Sequence, residues 1–296
     1  MLLDAIIIGA GTAGITAAIQ LTRSQMNICL LEKQHIGGLL HSAMLIENFP
    51  GFPNGIKGKD LACQMEKQLE KLKISYILEP ATYIYSDKNS FTVKTTNSTI
   101  SAKYLIMATG TIPLPIPIQF PEAATSLIHN NIESLLDHKG ENIAIVGAGD
   151  AAFDYALNLS QNNNATLLCR SLPCCLPLLY QRADTKHNIK IINNVELNEI
   201  KKEKNQLELI IRKDNETGKL NSDHILFAIG RKPNIDLLKT SLTENEIELF
   251  IKNRRIHLVG DIKNNLLRQA VIAAGDGMRA AMEIIFNENS CDNRKC

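Results

Sequence analysis

The feature that most constrains the fold is a glycine-rich module that the sequence contains twice. The first copy is an apolar run, residues 5–8, followed by Gly9-Ala10-Gly11-Thr12-Ala13-Gly14 and an amphipathic stretch. The pattern returns as an apolar run at residues 143–146, Gly147-Ala148-Gly149-Asp150-Ala151-Ala152 and a second amphipathic stretch. A strand, a tight glycine turn and a helix together present a helix N-terminus to a pyrophosphate. Two copies therefore predict two separate dinucleotide sites.

The first module has the residues that such a site requires. Gly9 permits the tight turn, Gly11 lets the backbone approach the pyrophosphate, and Gly14 lets the helix pack closely on the strand. A second apolar strand, residues 28–31, ends at Glu32, whose carboxylate can accept hydrogen bonds from ribose hydroxyls. This combination favours a real nucleotide site over a chance glycine turn.

The second module differs where the ribose of the cofactor would lie. Arg170, followed by Ser171, takes the place that Glu32 has in the first copy. An arginine can bind a 2′-phosphate with charge-assisted hydrogen bonds, whereas a carboxylate would repel it. The sequence therefore favours NADPH over NADH, and the alternative is an arginine that only ends a strand in solvent. Ala152 replaces the third glycine, which is an allowed variant.

Each module is followed by a strand that we expect to stop at a glycine, over residues 104–110 and 225–230. Proline-rich segments follow both strands and indicate stiff crossings between domains. We therefore predict an α/β fold with two Rossmann-like domains, the second inserted into the first. The first domain would comprise residues 1–112 and 234–296, and the second residues 113–233.

Composition excludes several classes of function. The formal net charge is +1 and the pI is about 7.6, so we expect neither nucleic-acid binding nor attraction to an anionic membrane. No run of apolar residues is long enough to cross a bilayer, and no signal sequence precedes the first glycine turn, so we expect a cytoplasmic protein. The seven cysteines are then expected to be mostly reduced thiols. We expect no metal site.

Several further motifs resemble low-molecular-weight thioredoxin reductases. They are Gly37-Gly38-Leu39-Leu40, the run Ile46 to Pro53, Ala108-Thr109-Gly110, Gly260-Asp261, and Arg268 to Val271 with Ala273-Ala274-Gly275. The motifs occur in the family's order across nearly the whole chain. The resemblance implies that the first domain binds FAD and the second binds NAD(P)H, that hydride passes from NAD(P)H to FAD, and that the protein is a homodimer.

The resemblance also implies which residues bind each cofactor. For FAD they are Gly9, Gly11, Thr12, Ala13, Gly14, Glu32, Lys33, Gly38, Leu39, Leu40, Asn48, Ala108, Thr109, Gly110, Gly260, Asp261, Arg268, Gln269 and Ala270. For NAD(P)H they are Gly147, Gly149, Asp150, Ala151, Ala152, Arg170, Ser171, Ile229, Gly230 and Arg231. No side-chain acid, base or nucleophile is required if the flavin carries the redox step.

One departure from thioredoxin reductases is decisive for the substrate. In that family a Cys-x-x-Cys pair lies shortly before the second glycine module, but residues 126–141 of this chain contain no cysteine. Ordinary thioredoxin reduction is therefore not expected. Cys291 and Cys296, in a polar tail, are the substitute redox pair that we consider; the adjacent Cys174 and Cys175 are a weaker one.

The helix of the second module, residues 149–157, resembles instead the thioredoxin-reductase-like ferredoxin-NADP+ reductases, which also lack the dithiol. We therefore expect an FAD-dependent NAD(P)H oxidoreductase whose acceptor is a small electron carrier of the ferredoxin or flavodoxin type, or a small molecule. The alternatives are a disulfide reductase that uses the tail cysteines and a non-catalytic nucleotide-binding sensor or subunit.

Overall fold

The structure is a computed structural model that describes residues 2–87, 89–214 and 216–292. Its first nine strands are β1 Leu3–Ile8, β2 Ile28–Glu32, β3 Tyr76–Leu78, β4 Ala81–Ser86, β5 Phe91–Thr95, β6 Thr99–Met107, β7 Thr111–Pro113, β8 Ile128–His129 and β9 Asn142–Val146. The strands that follow are β10 Asn164–Cys169, β11 Ile189–Asn193, β12 Val195–Glu203, β13 Gln206–Lys213, β14 Glu216–Ser222, β15 His224–Phe227, β16 Arg231–Pro233 and β17 Ile256–Leu258.

The α-helices separate these strands and cover the sheets. They are α1 Thr12–Arg23, α2 Gly58–Lys71, α3 Asp150–Leu159, α4 Pro177–Asp184, α5 Asp236–Ser241, α6 Glu244–Lys252 and α7 Ala270–Asp292. Helix α6 begins with a capping box, in which the Thr243 side chain accepts from the Glu246 backbone and the Glu246 carboxylate accepts from the Thr243 backbone. No helix in the described ranges has both the length and the apolar character needed to span a membrane.

The chain divides into two compact units. The first contains the described residues of Met1–His41, Ile46–Ile112 and Lys232–Cys296, and the second contains Ser42–Leu45 and Pro113–Arg231. The predicted α/β fold, with two Rossmann-like units and one inserted into the other, is confirmed.

The first unit is built on a seven-stranded sheet in the order β3-β2-β1-β6-β5-β4, with β17 also paired to β6. Strands β1, β2, β3, β6 and β17 pair in parallel, while β4, β5 and β6 pair antiparallel. The sheet is buried on both faces, since Ile7 of β1 packs with α1 and α7 while Ile6 and Ile8 pack with Leu238 and Ile247 of α5 and α6. This explains the unbroken apolar run at residues 5–8 of β1.

The second unit contains a five-stranded parallel sheet in the order β11-β10-β9-β15-β8 and a separate antiparallel sheet, β12-β13-β14. Ile143 and Ile145 of β9 pack with α3, where Phe153 is fully buried. Ala144 faces the other way, toward Leu207 and Leu209 of β13. Helices therefore cover one face of the parallel sheet and the three-stranded sheet covers the other.

Two details of the sequence-based organisation differ from the structure. Residues 42–45 lie in the second unit, because Met44 donates its backbone N–H to Asp154 at 3.0 Å and the Ser42 hydroxyl lies 3.4 Å from Glu133. Residues 232 and 233, predicted in the second domain, lie in the first, since the division falls after Arg231.

The polar tail that contains Cys291 begins as helix. The backbone of α7 continues to Asp292. Cys291 therefore lies on the last helical turn, while Cys296 lies outside the described residues.

Candidate dinucleotide-binding sites

The turn after β1 has a backbone that only glycine can form. Gly9 has a φ of 103°, and a Cβ there would lie 2.3 Å from the carbonyl oxygen of Ala108. A Cβ on Gly14 would lie 1.9 Å from the carbonyl oxygen of Gly9. Both contacts are far inside van der Waals distance, so the chain passes here with no space for side chains. The first and third glycines of the module thus hold β1, α1 and the end of β6 together.

Gly11 is required for a different reason. It is the N-cap of α1, with φ −75° and ψ −175°, and a Cβ built on it meets nothing within 4 Å. The space before the helix is therefore open, although the backbone would accept alanine. The first-turn N–H groups of α1 have no acceptor within the helix, so this open space is suited to an anion such as a pyrophosphate.

Glu32 lies beside this opening and is 8% exposed. One carboxylate oxygen accepts from the Ala10 N–H at 2.8 Å, and the other accepts from the N–H groups of Lys33 at 2.8 Å and Gln34 at 3.0 Å. These three bonds orient the carboxylate and leave one of its roughly four lone-pair sites open, on Oε2. That oxygen has the chemistry to accept a ribose hydroxyl, and the Lys33 N–H helps to fix the carboxylate.

Segments from distant parts of the first unit meet at the start of α1. A Cβ on Gly38 would lie 3.5 Å from the Gly11 Cα, and a Cβ on Gly260 would lie 3.0 Å from the Ala13 Cβ. Helix α7 approaches α1 more closely still, since a Cβ on Gly277 would lie 2.0 Å from the Ala13 carbonyl oxygen. The structure thus assembles the sequence-predicted glycines around one helix N-terminus.

The remaining predicted FAD residues of this unit lie at element ends. Asn48 donates its side-chain amide to the Gln269 side-chain oxygen at 2.8 Å, which joins positions far apart in sequence. Arg268 and Gln269 directly precede α7, and Ala270 is its first residue. Asp261 lies in the short 3₁₀ turn Gly260–Ile262, Leu39 and Leu40 lie in the 3₁₀ turn Gly38–Ser42, and Ala108, Thr109 and Gly110 directly follow β6.

The second glycine turn repeats the geometry of the first. Gly147 has a φ of 155°, and a Cβ there would lie 2.5 Å from the Ala228 carbonyl oxygen and 3.0 Å from the Ala152 Cβ. Ala152, which stands where the first module has Gly14, is fully buried beside this turn. Gly149 is the N-cap of α3, with φ −99° and ψ −178°, and again nothing lies within 4 Å of its built Cβ.

The residues around this second opening belong to the same unit. Asp150 and Ala151 start α3, and the Asp150 carboxylate accepts from the Leu176 N–H at 2.7 Å. Arg170 and Ser171 directly follow β10 and are exposed, so their side chains are accessible to a ligand. Ile229, Gly230 and Arg231 follow β15, and Gly230 has a φ of 118°.

Both openings fit a dinucleotide. Each has a helix N-terminus with free space where a Cβ would otherwise stand, and the first adds a buried, oriented carboxylate while the second adds an exposed arginine. A carboxylate suits an unphosphorylated ribose such as that of FAD, and an arginine suits a 2′-phosphate.

Sequence reasoning missed several residues that shape the first opening. Gly277 allows α7 to contact α1, and the Asp276 carboxylate accepts from the Gly260 N–H at 3.2 Å and pairs with Lys263 at 2.9 Å. A glycine inside a helical stretch is the sequence signal from which this close approach could have been predicted.

Comparison with known proteins adds to this geometry. A family model described as pyridine nucleotide-disulphide oxidoreductase matches residues 3–285. The chain is 31% identical to a 34.2 kDa protein in the rubredoxin operon of Clostridium pasteurianum, covering 95% of each chain. It is 29% identical to a thioredoxin reductase of Borreliella burgdorferi, covering 95% of this chain and 90% of that one. The crystal structure of Lactococcus lactis thioredoxin reductase in its FR conformation superposes with a TM-score of 0.85 at 26% identity, covering 95% of this chain and 97% of that one.

Proposed function

The chain belongs to the pyridine nucleotide-disulphide oxidoreductase family as a thioredoxin reductase-like, FAD-dependent enzyme, and we propose that it uses NADPH to reduce an external electron acceptor. The reaction proceeds without a dithiol of the enzyme's own. The acceptor that fits this chemistry best is a small electron-carrier protein of the ferredoxin or flavodoxin type. FAD, when bound, takes hydride from a nicotinamide and releases electrons singly or in pairs, and the protein supplies binding and orientation.

The observation that carries the proposal is the absence of cysteine from residues 126–141. This segment forms the short 3₁₀ helix Ile132–Leu135, where the Asn131 side-chain oxygen accepts from the Glu133 N–H at 3.2 Å. A disulfide cannot be exchanged here because no thiolate is available to attack it.

Two of the three described cysteines of the second unit, Cys169 and Cys175, are poorly suited to replace that pair. Cys169 and Cys174 lie beside the second glycine turn, with their sulfurs 3.3 Å from the Gly147 carbonyl oxygen and 3.5 Å from the Ala148 carbonyl oxygen. Burial raises the pKa of the Cys169 thiol to about 11 and also raises the pKa of Cys175. These two thiols therefore stay protonated at neutral pH and are poor nucleophiles.

Each unit binds one of the two dinucleotides. In the first, the α1 N-terminus at Gly11 binds the pyrophosphate of FAD and Glu32 accepts its ribose hydroxyls. In the second, the α3 N-terminus at Gly149 binds the pyrophosphate of NADPH, and Arg170 with Ser171 binds the 2′-phosphate. The open space before both glycines supports this assignment.

A protein acceptor is supported by the chemistry and by one relative. A one-electron carrier takes electrons without covalent exchange, so it needs no cysteine in the reductase. The relative from Clostridium pasteurianum is described by its place in a rubredoxin operon, which fits a reductase that serves a small redox protein.

A disulfide substrate is the second candidate, because other relatives are named thioredoxin reductases. It would depend on Cys291 and Cys296. The test is an anaerobic acceptor screen with NADPH, using the wild type and the double variant Cys291→Ser, Cys296→Ser.

We expect both proteins to reduce ferredoxin or flavodoxin at the same rate and to leave thioredoxin disulfide untouched. Thioredoxin reduction by the wild type that disappears in the double variant would establish the tail dithiol instead. A Cys63→Ser variant is the matched control, because Cys63 is exposed, free and on α2.

A further inference from the structure

A cluster of imidazoles and one carboxylate lies in the second unit, apart from its glycine turn. His129 ends β8, His224 begins β15, and His138 and Glu141 lie in the segment before β9. Strands β9, β15 and β8 are neighbours in the parallel sheet. Glu141 precedes the first residue of β9, whereas Gly147 follows the last, so a strand of five residues, roughly 16 Å long, separates the cluster from the second glycine turn.

We propose that His138, Glu141 and His224 form a binding site for one divalent transition metal ion of the zinc class, a site separate from both dinucleotide sites. Their ligand atoms all lie within 4.8 Å of one another. Nδ1 of His138 is 2.8 Å and Nε2 of His224 is 3.2 Å from the same Glu141 oxygen, Oε2. Ligands at ~2.0–2.1 Å from a tetrahedral ion stand roughly 3.4 Å apart, so small side-chain rotations bring all three to one ion.

The backbone that carries two of these ligands is held in place. Asn163 donates its side-chain amide to the His138 carbonyl at 2.9 Å, and its side-chain oxygen accepts from the Glu141 N–H at 3.1 Å. The Gly140 N–H donates to the Asn162 carbonyl and the Asn164 N–H donates to the Glu141 carbonyl, both at 2.8 Å. A site whose ligands are already positioned loses little conformational entropy on binding.

The third ligand, His224, is oriented by a neighbouring histidine, His129. Nδ1 of His224 lies 3.0 Å from Nε2 of His129, and Nδ1 of His129 lies 2.8 Å from the Ser134 hydroxyl, which in turn reaches the Asn131 carbonyl at 3.1 Å. If each Nδ1 carries the proton, His224 donates to His129, His129 donates to Ser134, and Ser134 donates to Asn131. This direction leaves Nε2 of His224 with a free lone pair facing Glu141.

That arrangement is the one a metal ligand requires. A ligating histidine usually donates its other N–H to a fixed acceptor, which sets the tautomer and the ring orientation. The lone pair of His224 would otherwise face a carboxylate oxygen, which is repulsive unless a cation or a proton lies between them. His129 is therefore a positioning residue for this site, and His138, Glu141 and His224 are the ligands.

The chemistry of the three ligands restricts which metal ions this site can bind. Two imidazole nitrogens and one carboxylate oxygen suit zinc, cobalt or nickel, whereas calcium and magnesium prefer oxygen ligands alone. The His138 and Glu141 side chains are 32% and 31% exposed, so an ion has access from solvent and a water can complete its coordination. The ion would join the segment before β9 to the start of β15.

The test uses the full-length FAD-loaded enzyme, treated with chelator and then titrated with Co²⁺ or Zn²⁺. We expect one equivalent to bind with micromolar or tighter affinity, a Co²⁺ absorption spectrum of tetrahedral nitrogen and oxygen coordination, and a rise in the midpoint of thermal unfolding. Mg²⁺ at the same concentration should not bind. X-ray absorption should show no sulfur ligand, which separates this site from the free cysteines.

The variants identify the ligands. Glu141→Gln and His138→Ala should each weaken Co²⁺ binding by at least about tenfold, and His129→Gln by about tenfold through the loss of orientation. His187→Ala, on an exposed histidine of the same unit, should leave it unchanged. Retained FAD content shows that each variant is folded. The absence of stoichiometric binding by the wild type, or equal affinity in Glu141→Gln and the wild type, would overturn the proposal and leave the cluster as a hydrogen-bonded network.

Discussion

Substitution of Gly11 or Gly149 by alanine should weaken the binding of one nucleotide each and leave the fold intact. Both glycines are N-caps with extended backbones that alanine can adopt, and in both cases a Cβ meets nothing within 4 Å. The loss of glycine flexibility in the unfolded chain stabilises by ~0.4–1 kcal/mol, and alanine is a poorer N-cap by a similar amount. The free energy of unfolding of the apoprotein should therefore change by less than about 1 kcal/mol.

Ligand binding should respond much more strongly. The added methyl group occupies the space in which a pyrophosphate would contact the helix N-terminus, an interaction that contributes up to ~2 kcal/mol. At ~1.4 kcal/mol for each factor of ten, its loss weakens binding by up to about 30-fold. Gly11→Ala should therefore bind FAD up to about 30-fold more weakly, while Gly149→Ala should retain FAD and bind NADP+ more weakly by a similar factor.

The assay has three readings for each variant. They are the dissociation constant for FAD from flavin fluorescence quenching, the dissociation constant for NADP+ by calorimetry on FAD-loaded protein, and the denaturant midpoint of the apoprotein. Each variant is the control for the other. Wild-type affinity for FAD in Gly11→Ala, or weaker binding of the same nucleotide in both variants, would contradict the assignment of one nucleotide to each glycine turn.

Three other substitutions test separate features. Arg170→Gln should raise KM for NADPH about tenfold or more and leave KM for NADH unchanged in steady-state assays; equal effects on both would remove the arginine from 2′-phosphate recognition. Burial is the main cause that raises the pKa of the Asp154 carboxyl to about 6, although the carboxylate accepts a hydrogen bond from the Met44 N–H. The folded protein therefore holds this proton more tightly than the unfolded chain does. As a result, the free energy of unfolding should fall by roughly 2 kcal/mol as the pH rises from about 4 to about 6. Asp154→Asn should lack this fall in urea unfolding, and an identical pH profile would contradict it. Gly277→Ala places a Cβ 2.0 Å from the Ala13 carbonyl oxygen, so the free energy of unfolding, measured by thermal unfolding, should fall by about 3 kcal/mol or more. A wild-type unfolding midpoint would contradict the close approach of α7 to α1.

The two glycine modules made the fold predictable, because each links a strand, a turn and a helix that can be read locally. The alternating burial of β1, with Ile7 on one face and Ile6 and Ile8 on the other, follows from the parallel sheet that the modules imply. The roles of Gly9 and Gly14 were likewise expected, since their built Cβ atoms would overlap carbonyl oxygens.

Contacts between residues distant in sequence were not predictable in this way. The attachment of Met44 to Asp154 moves a short segment from one unit to the other, and no local pattern indicates it. The cluster of His138, Glu141 and His224 has no motif spacing, because His224 enters from β15 after most of the second unit has intervened. The sequence therefore led us to expect no metal site, whereas the structure brings three possible ligand side chains together.

We propose that two nucleotide sites serve one reductase reaction that needs no protein dithiol. Anaerobic stopped-flow mixing of the purified FAD-loaded Cys291→Ser, Cys296→Ser variant with NADPH tests this through the loss of the flavin's visible absorbance. We predict bleaching at the wild-type rate, faster with NADPH than with NADH at equal concentration, and reoxidation on addition of a ferredoxin or flavodoxin. A flavin that stays oxidised with both nucleotides, or that bleaches in the wild type alone, would contradict the claim.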